Sequence, residues 1–336
     1  MTAIAAICVF FITILVHEFG HFIAAKKSGI LVHEFSIGLG PRLFGKKIGE
    51  TLYSLRLLPI GGACFMEGEN ETSDNSRSLT NQKPLTRILV LVAGPFMNFI
   101  LALVLLFIVN MTVGSVTTTI DKVLPDSPAL EAGLMKGDEI LSVNTIEVNS
   151  WQQFANFITA VDSNDIKPLS IEIMRNDSIK TFEIVPKYFV EESRIMIGIQ
   201  PSRKHNIFMA MKEALNYLIF MITLMFGFLK SLFTGQLSSN DIGGPVAVVS
   251  QIGEAAKYGF LTLLNFTAFI NVNLGFFNLL PIPALDGSRI IFAITEIVRR
   301  KPIPPEKEGF IHFIGFAFLM LLMLFITYKD ILKLFQ

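Results

Sequence analysis

The pentapeptide His17-Glu18-Phe19-Gly20-His21 carries the first chemistry legible in the chain. On a helix, positions i and i+4 share one face and stand about 6 Å apart along the axis. Both imidazoles can therefore reach one zinc ion, and the glutamate between them can act as general base on a water. Zinc lowers the pKa of such a water toward about 7, which makes a nucleophile at neutral pH. The motif lies inside an apolar run from Met1 to Ala25. Ionisable groups are costly in a bilayer and mark function there. The plain alternative, two histidines capping a helix end at the interface, leaves the ligand spacing unexplained.

Two histidines leave a catalytic zinc one protein ligand short. By residue type alone, His33, Glu34, His205, His312 and Asp286 are all candidates. His33 and Glu34 read as a solvated surface pair, and a lone His312 at the start of an apolar run reads as a packing or interfacial residue. Asp286 is the better candidate. It closes the stretch "NLLPIPALDG", Asn278 to Gly287, in which Pro281 and Pro283 break helical hydrogen bonding. Broken backbone at membrane depth is tolerated only where it lines a protein cavity. The competing reading is a helix that ends at the interface with Asp286 in water.

These residues need apolar elements to carry them. The chain has 336 residues, 51% hydrophobic and 17% charged, with 31 Phe and no net charge; its mean hydropathy is +0.56. That composition points to a polytopic α-helical membrane protein. Neutral charge gives no reason to expect a nucleic-acid partner. Cys8 and Cys64 lie in different contexts and suggest neither a disulfide nor a thiolate metal site. Segments 1–25, 88–110, 260–281 and 309–328 are long enough to span, about 20 residues being needed. The first lacks a charged leader region and a small-residue cleavage site, so it reads as a span and not a signal peptide. A further apolar segment, 206–233, contains Lys212, Glu213, Asn216 and Lys230 and reads as an interfacial amphipathic helix within a linker, 188–259. The expectation is thus about four transmembrane helices. The span at 260–281 must run in the direction of the first to bring Asp286 to the depth of His17; a crossing by 206–233 would reverse it.

Loop 26–87 holds nine Lys/Arg and loop 287–308 five. Short basic loops stay in the cytoplasm, so both are expected there. Within the first, residues 52–66 read as a membrane-associated β-hairpin around Pro59, Gly61 and Gly62. The polar region after the second span alternates apolar and polar residues in "SVTTTIDKV", "DEILSVN", "LSIEIMR" and "KTFEIVP", with one helix at "WQQFANFITAV". Its stretch "PDSPALEAGLMKGDEILSVN", Pro125 to Asn144, resembles a PDZ domain. An inserted α+β PDZ-like domain at 112–187 facing outward is expected, with an extended peptide as its possible ligand.

Taken together, "HEFGH", "AGPFMNFILA", the PDZ-like segment and "NLLPIPALDG" resemble the site-2 protease family, in particular its PDZ-containing bacterial group, which includes the sigma-E regulator protease. The resemblance covers nearly the whole chain. It implies an intramembrane zinc metalloendopeptidase in the bacterial cell membrane, active site toward the cytoplasm, that cuts single-pass membrane proteins such as anti-sigma factors or signal-peptide remnants. It implies one Zn2+ per chain held by His17, His21 and Asp286, with Glu18 catalytic. Asn278, Pro281 and Pro283 match a substrate-contacting N-x-x-P-x-P segment. Leu55, Leu57, Gly61 and Gly62 fall in the β-hairpin that pairs with unwound substrate, at the membrane lipid. Gly94, Pro95 and Asn98 match a signature of the second span. Ser288 stands where relatives often have a second glycine, and there is room for only one PDZ domain. A non-catalytic membrane scaffold presenting a PDZ module would need neither zinc nor Glu18. Proteases of the kind acting on prenylated termini take a later glutamate as third ligand and lack the insert.

Overall fold

The computed structural model describes residues 2–69, 73–161, 166–189, 194–236, 243–301 and 303–333. In chain order its elements are α1 (Thr2–Lys27), β1 (Val32–Ile48), β2 (Thr51–Met66), α2 (Pro84–Val113), β3 (Ser115–Val123), α3 (Pro128–Glu131), β4 (Glu139–Val143), β5 (Ile146–Glu147), α4 (Trp151–Thr159), β6 (Leu169–Arg175) and β7 (Ser178–Ile184). Then follow β8 (Lys187–Phe189), β9 (Arg194–Met196), β10 (Ile199–Lys204), α5 (Ile207–Phe233), α6 (Pro245–Lys257), α7 (Phe260–Asn278), α8 (Asp286–Arg299) and α9 (Pro305–Lys333). The chain divides into two compact units, Met1–Val109 with Ala214–Gln336, and Asn110–Glu213.

Among the described residues five helices are long and apolar enough to cross a membrane: Thr2–Lys27, Pro84–Val113, Ile207–Phe233, Phe260–Asn278 and Glu306–Lys333. The first has 26 residues, about 39 Å of helix against a hydrocarbon core of about 30 Å.

In the helical unit, contacts fix relative direction. Thr13 of α1 accepts from the Asn271 side chain of α7 at 3.0 Å, both groups being buried. Further along both helices, His17 meets Asp286 just beyond α7. Helices α1 and α7 therefore run the same way. Helix α2 runs against them, since Asn98 lies by His17 and Gly94 by His21. Helix α5 follows α7: Leu218 and Met221 pack with Ala268 and Val272, and Phe226 meets Phe276. Helix α6 returns along α1, with Val248 beside Phe10, Ile252 by Ala6 and Val9, and Gly253 against Thr2.

This arrangement corrects one step of the sequence argument. A lengthwise α5 was expected to reverse the span after it. The 13-residue α6 lies between them and runs back, so α5 and α7 keep the direction of α1. Lys212, Glu213 and Lys230 fall near the two ends of α5, while its middle is apolar and packed.

The β-hairpin is also larger than expected. Residues 44–48 pair with 51–55 across the Gly49–Glu50 turn, 32–37 pair with 62–66, and 34–37 also pair with 52–55. The partner of 52–66 is thus the whole of β1, and 62–66 forms one edge of the sheet. Gly38 and Gly40, at φ 87° and 86°, let β1 bend without leaving the sheet.

The second unit is built on a sheet of order β10-β3-β4-β6-β7, with β5 on β4. Ile120, Ile140, Val143, Ile171, Ile173 and Ile184 form its core with Phe154 and Ile158 of α4, as the alternation of its strands predicts. Ser150 caps α4 by accepting from the Gln153 N–H.

Candidate metal centre and active site

His17 and His21 point from one face of α1, and both rings are buried. Asp286 is the first residue of α8 and reaches them from the turn that follows α7. The Nε2 atoms of His17 and His21 are 3.2 Å apart, and Asp286 Oδ2 lies 3.2 Å from the first and 3.5 Å from the second. A tetrahedral zinc with bonds of about 2.1 Å spaces its ligand atoms about 3.4 Å apart. The three atoms match that spacing. Asp286 Oδ2 is buried without a hydrogen-bond donor, and two imidazole nitrogens face each other beside it. A cation resolves all three at once, so the donor set fits zinc. No other such cluster occurs among the described residues.

Neighbouring groups orient the two rings. His21 Nδ1 donates to the Val90 carbonyl at 2.8 Å, which leaves Nε2 as a lone-pair donor. Pro95 lies inside α2 and, lacking an N–H, donates no bond to the Leu91 carbonyl one turn earlier. Gly94 supplies the room for the ring: a Cβ at that position would lie 2.3 Å from His21 Nε2. His17 Nδ1 is 3.2 Å from the Asn98 amide nitrogen, and Asn98 Oδ1 is buried without a partner.

Glu18 approaches from the side of the sheet. Its Oε2 accepts the backbone N–H of Cys64 at 3.1 Å. A Cβ on Gly62 would stand 3.9 Å from Glu18 Cγ, and one on Gly61 would strike Ile14 at 2.9 Å. The 62–66 edge thus abuts α1 next to the glutamate. Burial, and then the charges of Glu18 and Glu69, push the Cys64 thiol up, and Cys64 is not among the clustered ligand atoms.

The other expected residues fall as follows. Leu55 sits between paired segments and lines an apolar cleft with Phe19, Phe22, Phe44 and Tyr53. Phe19 is turned about 200° around α1 from His17. Leu57 is exposed. Asn278 ends α7, Pro281 is exposed, and Pro283 is half-buried. His33 pairs with Glu67 at 2.5 Å, Glu34 with Arg56 at 2.8 Å, and His205 with the Met111 carbonyl at 2.9 Å. None of these three belongs to the cluster. His312 accepts the N–H of Ala284, two residues before Asp286. Sequence reasoning missed the Cys64 and Val90 backbone groups, which have no residue-type signature.

Long apolar helices that bring two histidines, an aspartate and a glutamate together define a multi-pass membrane metallopeptidase. The chain belongs to peptidase family M50, the site-2 protease family, whose model matches residues 5–322. A relative from Clostridium perfringens is 41% identical over 99% of both chains. One from Clostridium acetobutylicum is 39% identical over 98% of this chain and 96% of its own. Both bear zinc metalloprotease names. The zinc metalloprotease RasP of Shouchella clausii is 33% identical over all of both. Among solved structures, the PDZ domain of an SdrC-like protein from Listeria monocytogenes is similar at 23% identity, 26% of this chain and 87% of that one, with a TM-score of 0.23.

Proposed function

We propose that the chain is an intramembrane zinc endopeptidase that binds one zinc through His17, His21 and Asp286 and cuts single-pass membrane proteins in or near their spans. The observation that carries this reading is the ligand-like spacing of three side-chain atoms, with Glu18 on the same helix. When bound, zinc supplies a Lewis acid that acidifies water and polarises a carbonyl. Glu18 takes the proton from that water and hands it to the leaving amine. The Cys64 N–H, 3.1 Å away, keeps one carboxylate oxygen turned to the sheet edge and the other free. With its amide turned over, Asn98 accepts Nδ1–H of His17 through Oδ1 and leaves Nε2 for the metal.

A helical substrate hides its scissile carbonyl and must unwind. The 62–66 edge satisfies the freed backbone by strand addition. Gly61 and Gly62 bring that edge against α1, while Leu57 and the exposed Leu39, Leu43 and Phe44 meet lipid. Asn278, Pro281 and Pro283, at the end of α7 and in the turn before Asp286, are the residues expected to contact the substrate backbone. Helices α1, α2, α7 and α9 cross the membrane, and α5 with α6 makes a descending and returning pair. The basic loops support a site toward the cytoplasm and a PDZ-like unit outside. That unit holds a cleft of about 200 Å³ between α4 and residues 195–201, lined by Trp151, Phe154, Ile158 and Ile199. Strand β10 is an edge of its sheet, which suits an extended peptide.

The test is bound zinc and cleavage of a single-span model substrate by wild type, Glu18→Gln and Asp286→Asn. Glu18→Gln is expected to keep zinc and lose cleavage; Asp286→Asn is expected to lose zinc. Full cleavage by Glu18→Gln sinks the mechanism, and full zinc occupancy in Asp286→Asn removes that residue from the metal.

A further inference from the structure

We propose that His312 is a positioning residue for Asp286, acting through the backbone of Ala284. The inference rests on the reading of Asp286 as a metal ligand and concerns what holds that ligand in place. In the turn between α7 and α8, Pro281 and Pro283 donate no hydrogen bond; Leu279, Leu280, Ile282 and Leu285 donate to nearby main-chain carbonyls, whereas the Ala284 N–H goes to a side chain outside the turn. The turn must deliver Asp286 Oδ2 to within 3.5 Å of two imidazole nitrogens. Ala284 holds the turn in shape at φ 76°, a left-handed conformation that L residues rarely adopt without support.

Helix α9 supplies the support at two points on one face. His312 Nδ1 accepts the Ala284 N–H at 3.0 Å. Gly315 lies against Pro283 so closely that a Cβ there would sit 2.2 Å from the Pro283 Cβ. The imidazole has two further neighbours. Its ring packs edge-on against Phe292 of α8 at 5.7 Å, and its Nε2 lies 3.8 Å from Glu308 Oε1. With Nδ1 accepting, the ring proton sits on Nε2, which is buried without a hydrogen-bond partner. One side chain therefore contacts the turn before Asp286 and the helix that begins with it. The acceptor at the Nδ1 position holds a strained residue two places from the ligand.

The experiment compares His312→Phe, His312→Asn and His312→Gln in the full chain, by zinc affinity in chelator competition and by hydrogen exchange of the 279–288 peptide after metal removal. Asparagine places an acceptor near the Nδ1 position, glutamine near Nε2, and phenylalanine fills the space without one. His312→Phe and His312→Gln are expected to bind zinc about ten-fold more weakly, with faster exchange of the turn. His312→Asn is expected to stay near wild type. Gly315→Ala should match His312→Phe, while Gly309→Ala on the same helix, with nothing within 4 Å, should change neither readout. In an Ala284→Gly background, which removes the strain, the loss from His312→Phe should shrink. Unchanged exchange in His312→Phe overturns the proposal, as does faster exchange with undiminished zinc affinity. Equal losses in the asparagine and phenylalanine variants also overturn it, because the role is then volume and not acceptance. If His312→Phe does not fold, the asparagine and glutamine pair decides alone. Full zinc binding by Asp286→Asn instead strikes the metal reading, and the exchange data still judge the clamp.

Discussion

The backbone N–H of Cys64 donates to Glu18 Oε2 across 3.1 Å, so the edge of a β-sheet and the proposed general base share one contact. That N–H points away from the ladder with β1. A substrate strand laid along the same edge lies beside the carboxylate that must move its proton. Because the donor is a main-chain group, the Cys64 side chain should be dispensable. Cys64→Ala is expected to cleave at close to the wild-type rate. Cys64→Pro removes only this outward donor, at an edge position where proline is tolerated, and should lose about ten-fold or more in rate. Steady-state cleavage of a single-span substrate by both variants checks this, with bound zinc as the control for folding. Equal rates would remove the contact from the mechanism.

Gly94 gives a second expectation. A methyl group there meets His21 Nε2 at 2.3 Å, the nitrogen assigned to the metal. Gly94→Ala should therefore lose zinc, while Gly227→Ala, with nothing within 4 Å, should not. Zinc content after purification separates them. Retention of full zinc by Gly94→Ala would mean that the ring has another way to sit.

Asn98 gives a third. It is fully buried, and its amide faces His17 Nδ1 at 3.2 Å. Asn98→Leu keeps the volume and removes the acceptor, and zinc affinity should fall by about ten- to a hundred-fold. Asn98→Asp restores an acceptor and should recover most of it. Chelator competition reads both. Equal affinity in Asn98→Leu and wild type would show that His17 needs no partner.

The cluster of candidate ligands was legible because it is written in residue types at a helical spacing. His17, Glu18 and His21 announce a shared face, and Asp286 follows two prolines that forbid a regular helix. The returning α6 was not legible. It has 13 residues, too few to read as a span, and it includes Glu254 and Lys257. Its effect on the direction of α7 comes from packing against Ala6 and Val9, which no periodicity records. The extent of β1 was hidden in the same way. Gly38, Gly40 and Pro41 lie within β1, and the bend they permit keeps the strand paired. The Cys64, Val90 and Ala284 contacts involve main-chain atoms that every residue possesses.

Orientation can be tested with single cysteines in a Cys8→Ala background, where Cys64 is buried. Ser178 and Ser76 are both exposed. A membrane-impermeant maleimide should label Ser178→Cys in intact cells and Ser76→Cys only after permeabilisation. The reverse pattern would invert the proposed topology and put the site near the outer face.

The last expectation concerns acid. In the unit Asn110–Glu213, Arg175 grips Asp138 through Nε and Nη2 at 2.7 Å each, and the Met135 N–H adds a bond at 2.8 Å. Burial alone would raise the Asp138 carboxyl, but the Arg175 bonds, the Met135 bond and the nearby positive charge outweigh it and hold the group below its usual 3.8. A depressed carboxyl contributes stability that is fully present above the unfolded pKa and is lost as pH falls through the folded one. Stability of this unit should therefore hold from neutral pH to about 5 and decline below about 4. Trp151 is the only tryptophan in the chain and packs on Phe154 within the same unit. Its fluorescence can follow urea unfolding of this unit at each pH in the full protein. Arg175→Met leaves a buried carboxylate without its cation and should cost about 3 kcal/mol at pH 7. It also removes the depression, so the gap between variant and wild type should narrow as the pH drops below 4. A gap that stays constant across that range would mean that Arg175 acts by packing on Phe182, whose ring lies 5.4 Å from its guanidinium, and not through the charge of Asp138.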